Sequence, residues 1–285
     1  MYLVWGSTYL AIAIAVQTLP PLLSAGLRFL SAGVVLYGWL LARHRGAALR
    51  VGRVRLAGAA LVGVLLLAGG NGLVVLSERT VPSGLVALIV ASVPLWIVVF
   101  RRIAGDRIDL ALAAGVLAGF AGVAVLVIPR GASGEIAPVG LAMALGATFS
   151  WALGTFASPR LRMPRDPLAS TALQMLAGGL VLIVVAVAAG ESASADPSRF
   201  STASLVAMAY LVVFGSLVAF SAYTWLLQHA PVSVVATYAY VNPIVAVVLG
   251  AIVLSEAVTP SMLVGAAVIL AAVAFIVSRG GARGT

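Results

Sequence analysis

The 285-residue sequence contains no cysteine, no lysine and two histidines, and charged residues make up 9% of it. The absence of cysteine excludes disulfides, thiolate metal sites and cysteine nucleophiles. No G-x-x-x-x-G-K-[ST] loop occurs, so the chain has no such site for ATP. Paired carboxylates within apolar segments are also missing. We therefore expect no catalytic residue, no metal site and no cofactor, and we do not expect an enzyme.

Apolar residues, in contrast, make up 62% of the sequence, and they occur in runs close to twenty residues long. Soluble domains carry about 25% charged residues, and a run of about 20 apolar residues is long enough to cross a bilayer as a helix. The runs are continuous rather than alternating, which favours helices over barrel strands. The sequence thus predicts an all-α integral membrane protein with ten transmembrane helices. Their predicted spans are 2–16, 22–41, 56–76, 84–100, 110–128, 139–157, 168–189, 203–227, 232–254 and 261–277. We expect the first run to be retained as a span, because it lacks a basic n-region and an A-x-A-like cleavage site.

The net charge of +9 is explained by membrane topology. If the N-terminus is cytoplasmic, thirteen arginines lie in cytoplasmic segments, and Arg79, Arg130 and Arg199 lie on the opposite side. This bias predicts a multi-pass protein of the cell (inner) membrane with both termini in the cytoplasm. The basic loops then face anionic lipid headgroups, so we expect the bilayer as a partner and no nucleic acid.

The sequence contains an internal repeat. The segment PLLSAGLRFLSAGVVL from Pro21 matches PLASTALQMLAGGLVL from Pro167 at eight of sixteen positions, and Trp5 matches Trp151 at the same offset of 146. Later, Pro82 and Pro94 match Pro231 and Pro243. The sequence predicts two five-span repeats, 1–138 and 139–285. Because five is odd, the second repeat must be inverted, which is the architecture of a carrier that opens to alternate faces.

Four segments resemble one known family. They are WGSTYLAI (5–12), LRFLSAG (27–33), GGNGLVVLSERTVPSGLVALIVASVPLW (69–96) and YVNPIVAVVLGAIVLSEAVTPSMLVGAAVIL (240–270). They are similar to the drug/metabolite transporter superfamily, specifically its ten-helix EamA-type exporters. The resemblance implies a basket-like fold around a central cavity lined mainly by helices 1, 3, 4, 6, 8 and 9. It also implies export of amino acids, metabolites or drugs.

Several substrates and mechanisms are compatible with this resemblance. Only Arg28 lies inside a span, whereas a nucleotide-sugar or phosphate-ester exchanger of the same superfamily should carry several basic cavity residues. An amino-acid-like, neutral or amphipathic solute is therefore the expected small-molecule substrate. A channel built from the same helices is an alternative. A sensor or receptor would be expected to carry a soluble output domain, and the sequence contains none.

Arg28 is the charge that the second repeat lacks, since Gln174 occupies its position there. A charge at hydrocarbon depth costs about 3 kcal/mol or more. Arg28 is either an anion anchor, for example for a carboxylate, or a structural residue that snorkels or ties helix 2 to a neighbour. The structural interpretation is favoured, because the family resemblance does not place helix 2 on the main cavity. Glu78 is a candidate counter-ion.

Eight further residues are candidates for substrate binding. They are Trp5, Tyr9, Asn71, Trp151, Thr155, Tyr238, Tyr240 and Asn242. The two tryptophans could instead be interfacial belt residues, and Asn71 in the segment GGNG could join packed helices.

Pro94 and Pro243 occupy matched places in helices 4 and 9. Proline removes a backbone hydrogen bond and kinks a helix. These residues are either hinges for alternating access or static kinks.

All eight acidic residues lie at span ends or in loops. Asp106 and Glu256 are predicted to cap the helix that follows each of them. Glu78 is the candidate carrier if a proton is the coupling ion, and transport without a coupled ion is the alternative.

Overall fold

The computed structural model describes residues 2–43, 50–127, 137–235 and 237–281, and within these ranges the regular structure is helical. Ten apolar helices follow one another in the described ranges. They are α1 (Tyr2–Ala15), α2 (Pro21–Ala42), α3 (Arg53–Ser77), α4 (Ser83–Ile103), α5 (Leu110–Val127), α6 (Pro138–Ala157), α7 (Pro167–Ala188), α8 (Thr202–His229), α9 (Val232–Val235 continued by Tyr238–Val253) and α10 (Pro260–Gly281).

Seven of these helices, within the described residues, are long and apolar enough to cross a membrane. They are α2, α3, α4, α6, α7, α8 and α10, while α1, α5 and α9 are shorter apolar helices. Each of the ten overlaps one of the predicted spans. The fold class expected from the sequence, an all-α membrane protein with ten helices, is confirmed.

The packing of the helices repeats when each helix of one half is exchanged for its counterpart in the other. Helix α1 packs on α8 and α9, and correspondingly α6 packs on α3 and α4. Helix α3 packs on α7, as α8 packs on α2, while α2–α7, α4–α9 and α5–α10 pair counterpart helices directly. The two five-helix halves are therefore related by a two-fold arrangement around a shared centre. The exact division after residue 138 stays a prediction.

The α2–α7 contact depends on glycine. A Cβ built on Gly26 would lie 2.9 Å from the backbone nitrogen of Ile183, and one on Gly179 would lie 2.7 Å from that of Leu30. Both distances are shorter than a real Cβ contact, so these two backbones approach each other only because side chains are missing. Such packing fixes the relative position of the two repeats.

Helices α3 and α8 each contain a widened π-helical segment, Val64–Asn71 and Leu211–Phe220. Wide turns of this kind are frequent at functional sites. In α3 the segment brings Gly70 against α6, where an added Cβ would lie 2.7 Å from the Trp151 ring. In α8 it brings Gly215 against Arg28. The irregular turns thus face the centre of the molecule in both repeats.

The two matched prolines have different surroundings. Helix α4 is interrupted at residues 91–92, and Pro94 is the second residue of its continuation, Val93–Ile103. Pro243 instead lies inside the regular helix Tyr238–Val253. The two prolines therefore differ in local structure, because Pro94 adjoins a break in its helix and Pro243 does not.

Candidate functional site

A cavity of about 50 Å³ lies where the two repeats meet. One water molecule needs about 10–15 Å³ by the same measure, so the space holds several. Residues of α1, α2, α3, α4, α6 and α9 line it: Trp5, Thr8, Tyr9, Ile12, Arg28, Gly70, Asn71, Val74, Val90, Ala147, Trp151, Tyr238 and Asn242. Seven of the twelve site and hinge candidates chosen from the sequence are in this set.

Four aromatic rings form a layer at the end of the cavity nearest the chain termini. Trp5 contacts Trp151 edge to face with ring centroids 5.7 Å apart, Tyr223 at 4.9 Å and Tyr238 at 5.2 Å. Trp151 also contacts Tyr223, at 5.7 Å. The rings come from α1, α6, α8 and α9, so the aromatic layer joins the two repeats. Trp5 is buried and lines the cavity, which fits a pocket wall and not a belt residue.

Tyr223 is a site residue that the sequence reasoning missed. Its side chain is fully buried, and its hydroxyl lies 2.6 Å from Thr155 Oγ1. Thr155 also donates to the Trp151 carbonyl at 2.9 Å. Thr155 therefore forms hydrogen bonds with two residues of the aromatic layer, Trp151 and Tyr223, and does not line the cavity. Tyr223 has no aromatic counterpart in the first repeat, where Val74 holds its position, so the duplication gave no signal for it.

Arg28 lies beyond the aromatic layer, toward the other end of the cavity. Its side chain is 3% exposed, and Nε donates to Ser216 Oγ at 2.8 Å. The guanidinium carbon lies 4.6 Å from the Phe29 ring centroid, while Nη1 is buried and has no hydrogen-bond partner in the part of the chain that the structure describes. Ser24 and Ser31 bond backbone carbonyls instead. Arg28 thus ties α2 to α8 and lines the cavity.

Glu78, the candidate counter-ion, is buried at the end of α3 and does not line the cavity. Its two carboxylate oxygens have no hydrogen-bond partner among the described residues. It is close enough to Arg28, Tyr9 and Glu256 for electrostatic interaction. No ion pair within 4.0 Å joins Glu78 and Arg28 in the part of the chain that the structure describes.

The acidic residues after α4 and α9 are not equivalent, and the prediction that each caps the following helix is wrong. Glu256 accepts hydrogen bonds from Ser83 N at 2.7 Å and Gly84 N at 3.0 Å, so it caps α4, in the other repeat. Asp106 pairs with Arg101 at 2.7 Å, and this bond holds the pKa of Asp106 below its usual value. Helix α5 is capped by Asp109. Sequence spacing could not distinguish these partners, because the Glu256 contact crosses between repeats.

The remaining candidates divide between the cavity wall and the helix framework. Tyr9 and Asn71 line the cavity, and no described residue forms a hydrogen bond with the buried Oδ1 of Asn71. Asn242, with its amide nitrogen turned toward two carbonyls, donates to Tyr2 O at 2.9 Å and Tyr238 O at 3.3 Å, which joins α9 to α1. The side chain of Tyr240 lies outside those that the structure describes.

The lining helices differ in two respects from those that the family resemblance implied. Helix α2 contributes Arg28, and no described residue of α8 reaches the cavity surface. The reason is local. Gly215 in α8 carries no side chain, and a Cβ there would lie 2.7 Å from Arg28 Nη2. The guanidinium therefore occupies space that an α8 side chain would otherwise fill.

Comparisons with known proteins decide the family. The model of the EamA-like transporter family matches two stretches of the chain, residues 1–128 and 138–278. The chain belongs to the EamA-like transporter family. This confirms the resemblance to the drug/metabolite transporter superfamily, and the two matched stretches contain one half of the helices each.

Named relatives agree with this assignment. The transporter is 41% identical to the uncharacterized inner membrane transporter YedA of Escherichia coli K12 over 252 residues, which is 88% of this chain and 79% of YedA. It is 29% identical to the uncharacterized transporter YvbV of Bacillus subtilis, covering 99% of this chain and 91% of YvbV. A crystal structure of a protein with 22% identity matches it with a TM-score of 0.68, over 100% of this chain and 96% of that one. The chain is thus a multi-pass membrane transporter.

Proposed function

We propose that this protein is a secondary transporter that exports small amphipathic solutes, amino-acid-like metabolites or drugs, across the cell membrane by alternating access. The observation that carries the proposal is the cavity between the repeats, with an aromatic layer on one side and polar groups on the other. Aromatic rings suit the apolar part of an amphipathic solute. Arg28, Tyr9 and Asn71 suit its polar part.

The aromatic layer is the expected gate at the end nearest the termini. Trp5 and Tyr238 come from α1 and α9, and Trp151 and Tyr223 from α6 and α8. Separation of Trp5 from Trp151 would open the cavity toward that end, which is cytoplasmic in the predicted orientation. A solute as large as an amino acid also requires these rings to move apart, because the cavity is small.

Proton coupling through Glu78 is part of the proposal. Glu78 is buried near the end of the cavity opposite the aromatic layer, and Arg28 of α2, Tyr9 of α1 and Glu256 after α9 act on it electrostatically. A buried carboxylate without hydrogen bonds is costly in its charged form, which favours proton binding. Glu78→Gln removes this titratable group at nearly constant shape. It should abolish acceleration of transport by a pH gradient while leaving solute exchange intact.

The transport proposal is tested by counterflow in proteoliposomes with radiolabelled leucine, 3-phenylpropionate and a cationic dye as separate solutes. Saturable counterflow of at least one of them is expected. Nonsaturating conductance would support a channel, and exchange confined to sugar nucleotides or phosphate esters would support the other branch of the superfamily. Transport should be lost in a Trp5→Ala, Trp151→Ala double variant and kept in Trp225→Ala, because Trp225 is exposed on the helix surface.

A further inference from the structure

We infer that Arg28 is the binding site for a carboxylate group of the transported solute, so that the substrates are amphipathic monocarboxylates. This inference rests on the proposed transport function and adds its substrate class. The first observation is the unpartnered Nη1 of Arg28, which is buried and belongs to a side chain that lines the cavity. A guanidinium has five N–H donors in a planar fork and accepts a carboxylate bidentately.

The orientation of Arg28 is fixed by groups that do not neutralise it. Ser216 accepts from Nε at 2.8 Å, and the Phe29 ring lies 4.6 Å from the guanidinium carbon. Gly215 leaves the space in which Nη2 lies. The carbonyl of Gly215 in turn accepts a long bond of 3.4 Å from Trp5 Nε1. The guanidinium is therefore held in place by α8, a helix of the other repeat, and retains its charge for a ligand.

A second unpartnered group lies on the same wall. Asn71 lines the cavity with Arg28, and its buried Oδ1 has no hydrogen bond to any described residue. A buried polar group left unpaired costs about 1–3 kcal/mol. The amide of Asn71 offers a donor and an acceptor, so it is suited to a neighbouring polar group of a solute that Arg28 holds. Two unsatisfied groups on one cavity wall point to a polar ligand rather than to helix packing.

The structure also indicates why the anion should be a monocarboxylate. Among the described residues that line the cavity, Arg28 is the one with a permanent positive charge. A dianionic phosphate would therefore be poorly neutralised. The aromatic rings of Trp5, Trp151 and Tyr238 face the same space and suit an apolar group attached to the carboxylate.

The second repeat provides an internal comparison. Gln174, the counterpart of Arg28, is equally buried, and its Nε2 donates to Ser170 Oγ at 2.9 Å. Gln174 does not line the cavity. The neutral amide is thus satisfied within its own helix, whereas the charged residue lines the cavity and has one donor without a partner among the described residues. If Arg28 were needed only to join helices, a neutral side chain of this kind would be sufficient.

The test compares acids with their amides. Thermal unfolding of the purified protein is measured with 3-phenylpropionate and 3-phenylpropionamide, with L-leucine and L-leucinamide, and with inorganic phosphate. In at least one pair the acid should bind about tenfold more tightly than the amide or better, as expected for a hydrogen-bonded charge pair. Phosphate should not stabilise the protein. Stabilisation by phosphate equal to that by the acids would overturn the assignment of a carboxylate.

Substitutions test whether the preference for acid over amide depends on Arg28. Arg28→Gln, which installs the residue of the other repeat, should abolish the acid preference, and Arg28→Lys should retain part of it, because lysine keeps the charge without the fork. Arg199→Gln is the control, because Arg199 pairs with Asp196 on the exposed surface. If Arg28→Gln does not fold, Asn71→Ala and Arg28→Lys decide instead. Retention of the full acid preference in all folded Arg28 and Asn71 variants would overturn the inference.

Counterflow separates this inference from the transport proposal. If acid and amide are both carried equally, the carboxylate inference fails and the transport proposal stands. If the acid binds through Arg28 but no solute is carried, the transport proposal fails and the binding site stands. If no acid stabilises the wild-type protein, the carboxylate inference is wrong whatever is transported.

Discussion

Trp5 and Trp151 occupy the same position in the two repeats, and they meet edge to face with ring centroids 5.7 Å apart at the centre of the molecule. Each residue therefore contacts its own counterpart. One ring belongs to each half, so a change in the relative tilt of the two halves alters this contact. This relationship connects the duplication in the sequence with the expected gate.

Trp5→Ala should shift the protein toward the form open at the end nearest the termini. An aromatic pair is worth about 0.5–1.5 kcal/mol beyond burial, which corresponds to a shift in the equilibrium of about two- to twelvefold per lost pair. The measurement is the labelling rate of a cysteine introduced at Thr8, on the cavity wall, by a membrane-impermeant thiol reagent. The chain has no other cysteine to react.

The matched control for this prediction is Trp225→Ala, since Trp225 is 49% exposed and stacks on His229 away from the cavity. It should leave the labelling rate at Thr8→Cys unchanged. An equal increase in both variants would indicate general loosening of the helices and not gate opening.

Gly26→Ala should destabilise the protein by about 1–3 kcal/mol through overpacking, because the added methyl group would lie 2.9 Å from the backbone of Ile183. Gly38→Ala, on the same helix, meets no atom within 4 Å and should be neutral or stabilise by up to about 1 kcal/mol through helix propensity. Denaturation in detergent measures both. Equal effects of the two changes would contradict the close α2–α7 packing.

Glu256→Ala should lower stability by about 1 kcal/mol, since it removes the cap of α4. Two backbone N–H groups, of Ser83 and Gly84, would lose their acceptor. Asp106→Ala, its counterpart in the first repeat, should change the melting temperature little, because the Arg101–Asp106 pair is exposed and exposed pairs contribute little to stability. Thermal unfolding of the two variants side by side tests the asymmetry.

The contribution of Asp106 should also depend on pH in a defined direction. Arg101 holds the pKa of Asp106 below its unfolded value, so the pair stabilises the folded state at neutral pH. That contribution is lost as the pH falls below about 3.9. The small difference between wild type and Asp106→Ala should therefore disappear in acid. A difference that grows as the pH falls would contradict the sign.

Pro94→Ala should slow alternating access more than Pro243→Ala. Pro94 adjoins the interruption of α4 at residues 91–92, whereas Pro243 lies inside the second segment of α9, Tyr238–Val253, and does not adjoin its start. Alanine at position 94 restores a backbone N–H that favours a continuous, stiffer helix. The maximal rate of counterflow should fall with little change in the half-saturating solute concentration. A larger effect at Pro243 would place the hinge in α9.

Tyr223→Phe should cost about 0.5–1.5 kcal/mol, the net value of one hydrogen bond. It removes the hydroxyl that lies 2.6 Å from Thr155 Oγ1, while Thr155 keeps its bond to the Trp151 carbonyl. Thr155→Val removes the same bond from the other side. A double-mutant cycle of these two changes should show a coupling energy, and strict additivity would contradict a direct bond.

Much of the site could be predicted because it repeats. The repeat offset of 146 identifies Trp5 and Trp151 as a matched pair. Two similar sequence segments identify Pro94 and Pro243 in the same way. Tyr223 was missed because Val74 holds its position in the first repeat. Asn242, predicted as a pocket residue, lines the cavity, and its amide also joins α9 to α1. Repetition therefore finds residues that occur in both halves and gives no information on features confined to one half.

The sequence by itself determined the class of protein, the ten apolar helices and the two-repeat plan. These follow from the length of the hydrophobic runs and from internal similarity, and neither depends on how the helices pack. Only the tertiary structure decided that Arg28 bonds Ser216 of the opposite repeat and faces the cavity, that Glu256 caps α4, and that Gly215 leaves space for the guanidinium. Each of these contacts joins residues more than 170 positions apart. Their partners are set by helix packing, which depends on where glycines permit two backbones to approach.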